Sequence, residues 1–293
     1  MKKTQFYAIL GVFALLVPGL IGAQGFPGGA SDPFAKVGGD PFANMAKAFD
    51  PASQDFTPED EYYLGRAVAA NILATYRPYT QNQELTKYLN RICQALVINS
   101  SRPEIYGGYR VMVLDTTEYN AFATPGGHIF VTRGLVEVTP SEEALAALIA
   151  HEISHIILRH GVSLIGDMSI TNDAADMARR GAALSNSPGA QRALSMRNSV
   201  TGIIDTMMKN GFSRPQEFEA DKAAVALLAA TGYDPNGLVD MLKVLSRVQG
   251  SQKGGFNSTH PSPQERINNI GNPGAQYRVP DTKVSRTARF KTK

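Results

Sequence analysis

T-P-S-E-E-A-L-A-A-L-I-A-H-E-I-S-H-I-I-L-R-H-G, residues Thr139 to Gly161, is the stretch on which the fold turns. Its spacing predicts one long helix. Thr139 is placed as the N-cap, Pro140 in the first turn, and Glu142 to complete a T-x-x-E capping box. Gly161 supplies a left-handed stop, and Arg159 and His160 fall in the last turn, where the helix dipole favours cations. His151 and His155 are four residues apart, so at about 100° per residue they leave the helix about 40° apart and can meet one ion. Glu152 is rotated by about 100°, beside that ion rather than on it. This is the H-E-x-x-H arrangement of zinc hydrolases, with the Glu as general base towards water. Leu145, Leu148, Ile149, Ile153, Ile156, Ile157 and Leu158 make the helix apolar almost all round, which predicts burial. Buried imidazoles and a carboxylate need compensation, and a metal ion supplies it.

Two His do not hold a catalytic zinc; a third protein ligand is expected, with one position left for water. The H-E-x-x-H-x-x-G-x-x-H pattern fails, because Leu158 stands where it needs Gly and His160 comes five residues after His155 instead of six. His160 also lies about 140° round the helix from His155, so it is assigned a structural role at the helix end. The segment F-S-R-P-Q-E-F-E-A-D, Phe212 to Asp221, offers two Glu. Helix phase puts Glu217 on one stripe with Asp221, Ala224 and Leu228, and turns Glu219 to the solvent side with Lys222 and Ala226. Glu217 is therefore assigned to the metal, and Asp221 becomes the acceptor for a ligand His N–H. The competing reading of Glu217 is a buried ion pair with Arg214 or Arg266.

The rest of the chain fits a mainly α fold with a small β-sheet (α+β). Its 293 residues, 43% of them apolar, suffice for one large or two small domains. The sequence pI near 8.9 is misleading. Lys2 and Lys3 carry two positive charges and residues 283–293 carry five; taking these from the net +3 leaves −4 over residues 24–282. That is no nucleic-acid-binding footprint. Residues 1–23 read as a cleaved signal peptide, from a basic start through an apolar run (Phe6 to Val17) to small residues ending at Ala23. The alternative is an N-terminal membrane anchor, which Pro18 and Gly19 interrupt. Residues 24–56, with D-P-F-A at Asp32 to Ala35 and again at Asp40 to Ala43, form a flexible Gly/Pro-rich linker. The domain occupies 57–282, and the basic tail 283–293 is expected to be disordered.

Within the domain, a T-P-x-D start at Thr57 opens a helix to about Thr75, and a second runs from about Asn82 to Ser100 with Leu85, Leu89, Ile92 and Leu96 in phase. Cys93, the only cysteine, is a small core residue. Tyr109 to Asp115 and His128 to Thr132 are strands, the latter after a P-G-G turn. Helical pieces are expected near Asp173 to Ala183 and Gln191 to Lys209, where a lid and ordinary packing both fit. Further helices cover Pro215 to Ala230, stopped at Gly232, and Asn236 to Val248.

H-E-I-S-H at 151–155 together with S-R-x-x-E-x-E-A-D at 213–221 resembles the zinc metallopeptidases of the CAAX prenyl protease, HtpX and BepA type. The likeness extends to N-A-F-A-T-P-G-G-H-I-F-V-T-R-G-L at 120–135, G-Y-D-P at 232–235 and T-H-P-S-P-Q-E-R-I at 259–267. It implies a gluzincin-type fold with H-E-x-x-H on a central buried helix and one Zn2+ per chain. By resemblance, His151, His155 and Glu217 are the ligands and Glu152 the catalytic residue. Gly127, His128, Ile129, Phe130 and Val131 look like an edge strand that would receive a substrate backbone by β-augmentation. His260 resembles a residue that approaches the zinc, as an oxyanion donor or an inhibitory fourth ligand. The chain shows no series of membrane spans and no helical-repeat domain, so lipid-modified substrates and a repeat chaperone are not expected. The resulting expectation is an exported zinc endopeptidase of the periplasm or cell envelope. Its partners would be unfolded or misassembled proteins and peptides, with membrane contact not required. The alternative is an envelope chaperone or assembly factor with a mostly closed zinc site.

Overall fold

The computed structural model describes residues 57–169, 211–248, 260–277 and 283–291. The signal segment, the linker and the helices expected within 173–183 and 191–209 lie outside the described residues. Everything described falls in one compact unit, residues 40–293.

Helix α1, Pro58–Thr75, starts on a proline whose missing N–H costs nothing in the first turn. It buries Tyr62, Tyr63, Leu64, Val68 and Ile72. Helix α2, Gln83–Ile98, is capped by Asn82, whose side chain accepts from the Leu85 N–H at 3.0 Å. Its apolar stripe includes Cys93, whose thiol burial pushes up to about 12. These two helices start and stop where capping and periodicity predict.

Strands β1 (Arg110–Leu114), β2 (Ala121–Ala123) and β3 (His128–Thr132) form one sheet in the order β1-β3-β2. β1 runs parallel to β3, with Arg110 opposite His128 and Leu114 opposite Thr132. β2 is antiparallel to β3, with Phe122 opposite Phe130. The expected edge strand over Gly127 to Val131 is thus corrected: β3 is the central strand, and all five of its residues are buried. The cause is the turn at Pro125–Gly127. Gly126 (φ 73°) and Gly127 (φ 97°) take left-handed conformations, which folds A-F-A back along β3. A Cβ on Gly126 would lie 2.4 Å from Tyr62 Cα, so the same turn also seats α1.

After the short helix α3, Arg133–Val138, comes α4, Glu142–Ile157, the centre of the molecule. It packs most extensively against α6 (Arg214–Thr231) and α7 (Asn236–Val248). The expectation that it is buried holds for Glu142 and from Ala144 to Ile156. Its predicted ends are corrected. Ser141, not Thr139, is the N-cap, accepting from the Ala144 N–H at 3.2 Å, while Thr139 closes α3 by donating its hydroxyl to Leu135 O at 2.7 Å. Glu142 does not complete a capping box. Its buried carboxylate accepts from the hydroxyls of Tyr88 (2.7 Å) and Tyr233 (3.1 Å) and from Arg289 (2.6 Å). At the other end the helix stops before Gly161. Arg159 takes φ 59°, and His160 opens α5, His160–Ser169, with Gly161 inside it. The buried acid Glu61 supports that turn, since Arg159 Nε donates to its Oε1 at 2.7 Å.

Helix α6 begins with a Ser213/Gln216 capping box and ends on Gly232 at φ 81°. Helix α7 buries Leu238, Met241, Leu242 and Leu245, and α8, Pro263–Ile270, is capped by Ser262. The tail expected to be disordered instead forms α9, Lys283–Lys291. Arg289 pairs with Glu142, Arg286 lies 4.1 Å over the Tyr233 ring and donates to Gly232 O at 2.7 Å, and Phe290 packs on the core. A buried carboxylate in the first turn of α4 draws the tail in.

Candidate metal centre

One face of α4 carries His151 and His155, whose Nε2 atoms lie 3.1 Å apart. Helix α6 packs across that face and supplies Glu217, fully buried, with Oε2 3.6 Å from His151 Nε2 and Oε1 3.5 Å from His155 Nε2. His260, just ahead of α8, brings Nδ1 to 2.7 Å from Glu217 Oε2. One donor atom from each of His151, His155, Glu217 and His260 lies within 4.8 Å of all the others. Two carboxylate oxygens there, Glu152 Oε1 and Glu217 Oε1, are buried and accept no hydrogen bond. Buried anionic oxygens without donors are costly, and a divalent ion among the three imidazoles and Glu217 would satisfy Glu217 Oε1 and leave Glu152 beside it. The donor set of nitrogen and oxygen atoms suits a tetrahedral ion.

The sequence offered a second account of Glu217, an ion pair. Arg214 pairs with Glu265 instead, at 3.6 Å, whereas Arg266 does form a long buried ion pair with Glu217, Nη1 to Oε2 at 3.8 Å, without a hydrogen bond. The main partner of Arg266 is Asp221, to which it donates from Nε to Oδ2 at 2.9 Å and from Nη2 to Oδ1, and Nη2 also lies 3.1 Å from His151 Nδ1. Asp221 Oδ1 in turn stands 3.1 Å from His151 Nδ1. An acid at that nitrogen leaves Nε2 facing the cluster and holds the ring's orientation. Sequence reasoning placed Asp221 by helix phase and missed the clamp that Arg266 puts on it. The signal was present in P-S-P-Q-E-R, where an Arg one turn into a capped helix is fully buried.

Electrostatics separate the titratable groups. Burial raises the Glu152 carboxyl to about 7, against a smaller lowering by His151. Glu217 goes the other way: burial opposes ionisation, but His260 and His151 outweigh it and hold the carboxyl well below its usual range. Burial and Arg266 disfavour a charged His151, yet Asp221 and Glu217 overcome both and raise it to about 9. His155 and His260 are lowered, chiefly by burial. Glu219 is exposed, as its helix phase predicted.

Gly127 to Val131 are absent from the lining of the pocket beside His155. The pocket beside His155 is lined by Ala123, Thr124 and Pro125, which belong to β2 and the turn after it. Thr124 N–H donates to His128 O and Thr132 N–H to Asn120 O, so alternate residues of β2 bond β3 and the Ala123 amide points away from it.

Known proteins resemble the chain over the segment that carries this cluster. The model for peptidase family M48 matches residues 83–273. The mitochondrial metalloendopeptidase OMA1 of Schizosaccharomyces pombe is 26% identical over 235 residues, covering 78% of this chain and 64% of that protein. The beta-barrel assembly-enhancing protease of Escherichia coli K12 is 26% identical over 204 residues, covering 69% and 41%. The metalloprotease LoiP of the same strain is 28% identical over 189 residues, covering 64% and 70%. The chain spans less than two thirds of the length of the first two. The matched segment contains both metal-facing helices and His260, and the chain belongs to peptidase family M48.

Proposed function

We propose that this protein is a zinc-dependent endopeptidase. The observation that carries the reading is the buried convergence of His151, His155, Glu217 and His260 beside a Glu152 carboxyl that burial raises to about 7. His151, His155 and Glu217 would hold the ion, and zinc bound there supplies a Lewis acid that polarises a peptide carbonyl and acidifies water. Glu152 is the proton carrier: a carboxyl poised near neutrality takes a proton from water and returns it to the leaving amine. Asp221 and Arg266 keep His151 in register for both steps. The pocket at Ala123 and Thr124 supports β2, rather than β3, as the strand a substrate backbone would join.

His260 favours a latent enzyme. Its Nδ1, 2.7 Å from Glu217 Oε2, supports a role as a removable fourth ligand that would compete with water or substrate for the ion. The second reading, an envelope chaperone whose site stays closed, rests on the same contact. Casein cleavage separates them: His260→Ala cleaving several-fold faster than the parent supports latency, whereas zinc-loaded parent and variant both inert, with aggregation suppressed, supports the chaperone.

The same proposal places the protein outside the cytoplasm, in envelope protein quality control, on the basic-apolar-small pattern of residues 1–23 and on relatives named for β-barrel assembly. No described helix is long and apolar enough to cross a membrane. Mass spectrometry of the envelope proteome with the parent or Glu152→Gln tests this. Envelope proteins accumulating only with the variant are expected; an unchanged proteome contradicts the role.

A further inference from the structure

His160 lies outside the metal-facing cluster, yet its ring is held against it. Its Nδ1 is 2.9 Å from His155 Nδ1, and the two rings meet nearly edge-on with centroids 5.0 Å apart. On its far side, Nε2 is 3.4 Å from Glu219 Oε2, a long contact at the rim of the site. Phe212 stacks on His155 at 4.3 Å and 19° and lies 5.8 Å from His160, so both imidazoles are wedged. On an unbroken helix His160 would sit about 140° round from His155. The left-handed turn at Arg159 brings it back instead, and the side chain is buried.

Hydrogen bonding gives this contact a direction. A neutral imidazole carries one N–H. His155 Nε2 faces His151 and Glu217, and binding an ion there needs that nitrogen's lone pair. The proton therefore sits on His155 Nδ1, aimed at His160 Nδ1, which must accept. His160 then carries its own proton on Nε2, the nitrogen turned to Glu219. The reverse polarity would put a proton on His155 Nε2 and bar ligation.

We propose that His160 is a positioning residue for His155. It accepts the His155 Nδ1–H, takes its own tautomer from Glu219, and so orients one metal-facing imidazole as Asp221 orients the other. The two devices differ in kind. His151 is held by a buried carboxylate clamped by Arg266, His155 by a neutral ring backed by an exposed acid. The inference rests on the reading of His151, His155 and Glu217 as metal ligands, and it adds a residue that H-E-x-x-H spacing alone rejects.

The test is zinc affinity by chelator competition in the full-length parent, His160→Phe and His160→Asn. Phe keeps a ring in the space but has no acceptor; the Asn side-chain oxygen falls near the position of the lost Nδ1. His160→Phe is expected to weaken zinc by about 10–100-fold, as loss of an outer partner of a ligand His does, and His160→Asn to recover most of that. The visible spectrum of the cobalt-substituted protein should shift in His160→Phe and stay parent-like in His160→Asn. Urea unfolding of each metal-free variant separates a weakened fold from a weakened site. Equal affinity and spectra in the parent and His160→Phe, or His160→Asn losing as much as His160→Phe, overturn the proposal. A parent that binds no zinc overturns the metal reading itself and this inference with it, so the two failures are distinct.

Discussion

Burial of Glu152 has a consequence measurable without substrate. With its carboxyl raised to about 7 in the fold and near 4.3 in the unfolded chain, the protonated form is the one the fold prefers. Its contribution to metal-free stability is complete below about pH 4 and lost as pH rises through 7. By pH 8 the ionised carboxylate costs up to about 4 kcal/mol. Glu152→Gln has nothing to ionise. In the presence of a chelator it should therefore be more stable than the parent at pH 8, with the gap closing towards pH 5. Urea unfolding at the two pH values reads this directly, and a gap independent of pH would refute it. The ligand assignment is tested at the same scale. Glu217→Ala should weaken metal binding by more than about 100-fold, beyond the loss typical of an outer partner. Glu219→Ala removes an exposed acid outside the cluster and should keep most of the affinity. Metal analysis after dialysis against a chelator distinguishes them, and stoichiometric metal in Glu217→Ala would reject the assignment.

At the scale of elements, the first turn of α4 is where local signals were least sufficient. Glu142 reads as a capping residue, but its partners are Tyr88, Tyr233 and an arginine 147 residues away. Glu142→Ala strips the acceptor from two buried hydroxyls and releases α9, at a cost of about 2–4 kcal/mol. Arg289→Ala leaves those hydroxyls satisfied and should cost about 1 kcal/mol or less, since Arg289 is half exposed. Thermal unfolding of the two variants checks the order, and equal losses would contradict it. The same contrast shows what a sequence can carry. Helices α1, α2, α6 and α7 were legible because their caps and apolar phases lie within a few residues of one another. The metal-facing set was legible for a similar reason, as helix phase sorts Glu217 from Glu219 without knowledge of packing. The left-handed Arg159 was not, because its reason, Glu61, sits on another helix; the expectation of one unbroken helix then hid His160. The three-residue β2 is too short to show an alternation. Without it β3 reads as an edge, although β2 and β1 flank it on both sides.

Across the whole molecule, α4 is both the centre of the core and the carrier of His151 and His155, so a metal bound by them would be coupled to folding. A ligand at about 100 times its Kd stabilises the native state by about 3 kcal/mol, or roughly 5–10 °C in Tm for a domain of this size. Zinc should raise the Tm of the parent by that amount and leave Glu217→Ala unmoved; equal shifts in both would mean that the ion binds elsewhere. Binding without turnover would still leave the central claim open to a direct check. That check is the casein hydrolysis rate of the zinc-loaded parent against zinc-loaded Glu152→Gln. Cleavage by the parent that a chelator abolishes, and that falls by at least about 100-fold in the variant at unchanged zinc content, is the predicted result. Cleavage by Glu152→Gln at the parent's rate would contradict it.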